Sequence, residues 1–130
     1  MSLSKNYLLP RILIGAMALI MAAATLPAYM NPTSNPGLTQ LTGDALSLGQ
    51  TAGAFLGRQL TLIIIALIGA FVGQRQLVMI GGFAMMFMNG HDAIFMGLMG
   101  GPAVAAIAGL VFAVIAAVAI YLVWQKRPAA

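Results

Sequence analysis

Apolar residues run along this chain in four blocks, at approximately 12–29, 51–72, 77–99 and 103–124. Each block is near the ~20 residues needed to cross a bilayer's hydrocarbon core. The punctuation falls between the blocks. Pro10 and Arg11 stand at the start of the first, where proline is tolerated. Pro27 falls in its last turn, and Asn31-Pro32 stops it. Gly73-Gln74-Arg75-Gln76 and Gly100-Gly101-Pro102 read as tight turns. In lipid every backbone polar group must be satisfied internally, so the blocks are predicted to be helices. The alternation of a membrane β-barrel is absent. The expected fold is all-α: an integral membrane four-helix bundle, up-down-up-down, in a single transmembrane domain over residues 1–130.

The one long connection, at 31–50, is expected on the outer side. Within it Leu38, Leu41, Ala45 and Leu48 recur at helical spacing between polar residues. This pattern fits a short helix lying in the membrane interface. It fits equally an early start to the second span, capped by Thr42 or Asp44.

Composition supports the membrane reading. The chain is 62% hydrophobic and 6% charged, and the four spans leave no room for a soluble domain. Cysteine is absent, which excludes disulfides, thiolate metal sites and thiol catalysis. The net charge of +4 does not indicate nucleic-acid binding, because the basic residues form no patch. Their placement sets orientation instead. Lys5, Arg11, Arg75, Lys126 and Arg127 all fall on one side of a four-span chain, and the other loops carry no Lys or Arg. Both termini are therefore predicted cytoplasmic, in a bacterial-type inner membrane, with Tyr7, Tyr121 and Trp124 in the aromatic belt at that boundary. A cleaved signal peptide competes for the first block, since Lys5 and Arg11 precede an apolar run ending in Ala22-Ala23-Ala24.

Helices in lipid associate by close packing at small residues. Such positions are Gly53/Gly57 and Gly69/Gly73 in span two, and Gly81, Gly82, Gly90 and Gly97 in span three. Span four offers Ala105, Gly109, Ala113 and Ala117. They are expected to serve packing within one bundle, with dimerisation as the alternative.

Arg58 and Asp92 are the two charged residues inside spans. Each costs about 2.5–3.5 kcal/mol at a span's centre on insertion scales. Arg58 lies about 16 to 17 residues before the middle of the Gln74/Arg75 turn and Asp92 about 17 to 18 after it, so a rise of ~1.5 Å per residue puts both at one depth. That depth is off-centre, toward the outer surface. Opposite charges at one level on neighbouring helices are placed to pair, which would relieve much of the cost of burial. Gln59, Asn89 and His91 collect at the same level, and Met88, His91, Asp92 and Met96 broadly share a helix face, with Asn89 further round. Two readings stand. The pair is a buried register-fixing contact, or these residues line a polar pocket. In a pocket Arg58, Gln59, Asn89 and Asp92 would bind the ligand, and His91 or Asp92 would move a proton.

Span three is rich in methionine, including Met79, Met85, Met86, Met88, Met96 and Met99. Thioether sulfur suits Cu(I), but these positions do not repeat on one face, so they are read as apolar filler. No metal or cofactor is expected. No phosphate-cradling glycine loop, His-Glu-x-x-His motif or Gly-x-Ser-x-Gly elbow is present.

Span one has no acidic residue, unlike the small multidrug-resistance transporters of similar size. The segment Phe55-Leu56-Gly57-Arg58-Gln59-Leu60, with its Gly-Arg pair early in span two, and Asp92 late in span three resemble the small four-span bacterial proteins of the DoxX-like group. The resemblance covers residues 10–125 and implies architecture, since that group has no agreed activity. The leading expectation is a polar site near the outer surface that binds a small amphiphile or a partner helix. The alternatives are an isomerase or hydrolase acting on a lipid-soluble substrate, and an oligomeric transporter or channel. Expected partners are membrane lipids and either further copies of the chain or another membrane protein.

Overall fold

The computed structural model describes residues 7–126. Lys5 and Arg127, two of the residues used to orient the chain, lie outside the described residues. The described residues form four long helices, α1 (Leu8–Thr25), α2 (Thr51–Val72), α3 (Arg75–Leu98) and α4 (Ala103–Gln125), and no strand. All four, α1 with the turn that follows it, are long and apolar enough to cross a membrane. Large apolar side chains stand exposed on each, among them Leu19, Ile64, Phe87 and Val114. A water-facing monomer rarely shows so much apolar surface.

The helix limits differ from the sequence pattern in instructive places. α1 begins at Leu8, with Pro10 buried in its first turn. It ends at Thr25, because Pro27 has no N–H to continue the ladder and the chain tightens into a 3-10 turn over Pro27–Tyr29. Two further 3-10 turns, Pro32–Ser34 and Pro36–Leu38, also start at proline, and a fourth covers Gly43–Leu46. Neither an interfacial α-helix nor an early start of α2 forms in this connection. Pro32 and Pro36 each start a single turn, and beyond them extended Thr42 and Gly43, at φ 58°, break the 38–48 stretch. Thr42 and Asp44 do not cap α2, whose N-cap is Gln50 without a side-chain bond. The apolar residues of the connection fold inward instead. Leu38, 2% exposed, packs with Ala28, Ala52 and Leu56 in a small second core over one end of the helices.

The main core takes residues from every helix, including Ile14, Met17, Met21, Ile63, Val78, Met85, Ala119 and Val123. Glycines set how closely the helices approach. A Cβ on Gly69 would lie 2.4 Å from the Leu77 carbonyl oxygen, and one on Gly81 would lie 3.1 Å from Ala66 Cα. α2 and α3 therefore touch backbone to backbone near their shared turn. Gly109 does the same for α4 on α3, with a Cβ there 2.7 Å from the Asn89 carbonyl oxygen. Gly57 and Gly97 meet nothing within 4 Å. The stripe predicted for α4 is half right. Gly109 is buried, but Ala117 is exposed, and Ala116 and Ala119 take the buried positions.

Arg11 stitches α1 to the end of α2. Its Nε donates to the Ala70 carbonyl at 2.7 Å and its Nη2 to the Phe71 carbonyl at 3.0 Å. These are last-turn carbonyls with no partner inside the helix, and the cation also meets the negative end of the helix dipole. Gly73 ends α2 in the left-handed conformation, φ 71°. A Cβ there would lie 2.7 Å from Arg11 Cζ. Gly73→Ala is therefore expected to lower stability by about 2 kcal/mol, from the left-handed backbone and the displaced guanidinium together. An unfolding midpoint unchanged from the wild type would show that neither constraint operates.

Candidate functional site

The polar residues flagged in the sequence gather near the end of the helices covered by the 27–50 connection. Arg58, in the third turn of α2, and Asp92, in the second half of α3, come together. Arg58 Nη2 lies 3.2 Å from Asp92 Oδ1 and 3.3 Å from Oδ2. The contact is not buried on both sides, contrary to expectation. The arginine side chain is 46% exposed and the aspartate 13%. The long guanidinium arm lies over the Phe55 ring, Cζ 5.4 Å from its centroid, and reaches across to a carboxylate held against the bundle. On the same carboxylate, Oδ1 is 3.3 Å from His91 Nδ1.

His91 stands on the outer face of α3. Its ring lies 6.4 Å from Phe87 and 4.5 Å from Phe95, and Phe87 lies 6.1 Å from Phe83. These four residues are four apart on one helix and form an exposed aromatic ladder. His91 and Arg58 share a shallow groove with Leu62, Phe83, Phe87 and Met88.

Behind Asp92 lies a cavity of about 180 Å³ that draws walls from all four helices and the connection. Its apolar wall includes Met21, Phe55, Met96 and Phe112, and its polar wall is Asn35, Gln59, Asn89 and Asp92. Exposed Ile20 and half-exposed Ala24, Ala105 and Ala108 also line it, so it reaches the surface where α1 meets α4. Arg58 does not line it. The predicted shared face of Met88, His91, Asp92 and Met96 holds in part: His91, Asp92 and Met96 line one surface hollow, while Met88 joins His91 and Arg58 in the groove beside it. Asn89, Asp92 and Met96 face the cavity at helical spacing, and Met88 and His91 face the neighbouring groove.

The cavity wall is built by hydrogen bonds that bridge distant segments. Gln59 Oε1 accepts from the Thr25 hydroxyl at 2.9 Å and from Asn35 Nδ2 at 3.1 Å. Asn35 Nδ2 also reaches the Ala24 carbonyl at 3.3 Å, and its Oδ1 accepts from the Gly37 N–H at 2.9 Å. Asn35 is 2% exposed and Thr25 0%, so this is an interior network tying the connection to α1 and α2. Asn89, 6% exposed, donates from Nδ2 to the Met85 carbonyl at 2.8 Å, and no described residue donates to its Oδ1. Asn35 and Thr25 escaped the sequence reading. Asn35 stands out there only as a turn residue before Pro36, and Thr25 lies inside an apolar block where nothing separates it from a surface threonine.

No protein-family model, curated protein or solved structure matches the chain. Function therefore rests on the geometry of this site.

Proposed function

We propose that the chain is an inner-membrane protein, four helices up-down-up-down with both termini on the cytoplasmic side, whose outer cavity binds a small amphiphile. The place among DoxX-like proteins suggested by Gly57-Arg58 and Asp92 belongs to the same proposal. Arg11, Arg75 and Lys126 at one end of the helices support the orientation.

The observation that carries the binding reading is the cavity behind Asp92. A merely structural Arg–Asp contact needs filled space around it. Here about 180 Å³ is open, somewhat more than the ~150 Å³ that accommodates benzene in an apolar protein cavity. A single ring or a short branched chain fits this volume. The polar wall offers acceptors at Asn89 Oδ1 and Asp92 and a donor at Gln59 Nε2, so a hydroxyl group, which both donates and accepts, suits it. The lateral opening between α1 and α4 suits a ligand arriving through the bilayer.

The probe is 4-propylphenol, titrated by calorimetry against the full chain in nanodiscs. The wild type is expected to bind saturably. Ala108→Leu, which fills the cavity, and Asn89→Leu, which removes the acceptor, are each expected to weaken binding about tenfold or more, since one hydrogen bond or one blocked ring site is worth over 1 kcal/mol. Equal uptake by the wild type and Ala108→Leu would mean partition into lipid and would end the proposal.

A further inference from the structure

We propose a second, separate site: the groove between α1 and α2 at the cytoplasmic end holds an acyl chain of an anionic glycerophospholipid, with the lipid phosphate on Arg11. The inference rests on the membrane orientation above and is independent of the cavity.

The groove is open to the surface, measures about 360 Å³ and is lined by Arg11 together with Leu8, Ile12, Ala16, Leu19 and Phe71, among others. From Arg11 to Leu19 the helix rises about 12 Å at ~1.5 Å per residue, close to the depth of one leaflet of a ~30 Å hydrocarbon core. Apart from Arg11 its side chains are apolar, so nothing in the groove competes with a hydrocarbon chain. Small Ala16 in its wall leaves room for one.

The chemistry at its mouth selects an anion. Arg11 spends Nε and one Nη2 hydrogen on the Ala70 and Phe71 carbonyls, and no described group accepts from Nη1. A guanidinium carries five N–H donors in a fixed fork, which matches phosphate oxygens. The fork is already oriented by α2, so a phosphate meets it with little further ordering. Among the described residues the charged side chains at this end are all basic. Arg11, Arg75 and Lys126 cluster at the ends of the helices here, whereas Asp44 stands in the 27–50 connection and Asp92 in the second half of α3. Arg75 Nε is buried with no acceptor among the described residues, a second guanidinium at this end with donor capacity to spare. Basic pockets between helices on the cytoplasmic side are a general mode of anionic-lipid recognition.

Native mass spectrometry of the full chain, released from detergent with phosphatidylglycerol or phosphatidylcholine of identical chains, tests this. Phosphatidylglycerol is expected to be retained about tenfold more strongly. Ala16→Phe fills the groove from its exposed side and leaves Arg11 and its bonds to α2 in place. It is expected to remove that preference, as is Arg11→Gln, although the latter also uncaps α2. Millimolar sn-glycerol 3-phosphate is expected not to displace the lipid. Equal retention of the two lipids, an Ala16→Phe variant that keeps the preference, or displacement by glycerol phosphate would each overturn the groove. A chain that remains monodisperse in buffer without detergent would instead overturn the membrane reading on which it rests.

Discussion

Asp92→Leu is expected to lower stability by about 2 kcal/mol, and Arg58→Leu added to it is expected to restore most of the loss. The reasoning starts from what each side chain faces. Arg58 is 46% exposed, but on the membrane reading its exposure is to lipid, where the cost of an unpaired guanidinium is about 2.5–3.5 kcal/mol at the centre and less toward the surface. Asp92 supplies the acceptors for one of its nitrogens at 3.2 and 3.3 Å. Removing the carboxylate strands the cation. Removing both charges strands nothing, and an apolar pair of similar volume commonly matches or exceeds an ion pair in stability. The measurement is a double-mutant cycle on SDS-induced unfolding in mixed micelles. If Asp92→Leu alone costs less than about 0.5 kcal/mol, the guanidinium is satisfied by water or headgroups and the contact is an ordinary surface pair. Folding and binding separate in the same variants. The double variant is expected to fold well yet bind 4-propylphenol about tenfold more weakly, because Asp92 lines the cavity.

The sequence exposed the helices because membrane-length apolar blocks admit few alternatives, and Gly73 and Gly100 mark turns where the chain needs positive φ. It also exposed the meeting of Arg58 and Asp92, since a tight turn fixes the depth of each side of a helical hairpin. Azimuth was harder to read. In a water-soluble helix the polar face points outward and orients the rest. Here α4 is apolar all round, so burial of Ala116 and Ala119 but not Ala117 leaves no trace in composition. The spacing set Asn89 apart from His91, but the same loss of contrast hid which of the two faces the cavity and which the aromatic ladder. Nothing local could reveal Asn35 and Thr25 as partners of Gln59. Their bonds span 24 and 34 residues, and the fold of the connection that delivers Asn35 is set by proline positions that allow several turns.

Glycines that look alike in the sequence are expected to respond with opposite signs. Gly109 and Gly57 both sit within long apolar helices, and both belong to small-residue repeats. A methyl group on Gly109 would stand 2.7 Å from the Asn89 carbonyl oxygen, 3.3 Å from Ala93 N and 3.4 Å from Ala93 Cβ. The nearest of these atoms are backbone in a regular helix and cannot turn aside. α4 must therefore move off α3 along their contact. Overpacking of this kind costs about 1–3 kcal/mol, and Gly109→Ala is expected near the top of that range. Gly109→Val, with two more methyl groups and a stiff χ1, is expected to prevent stable folding. Gly57 has nothing within 4 Å of its would-be Cβ. Gly57→Ala should add up to about 1 kcal/mol by reducing the freedom of the unfolded chain and raising helix propensity. The unfolding midpoints of the two alanine variants, taken side by side, decide the matter. If dimerisation rather than internal packing used these glycines, Gly57→Ala would be the damaging change and its cost would fall as protein is diluted in micelles. A loss at Gly109 with a gain at Gly57, both independent of concentration, places the close contact between α3 and α4 of one chain.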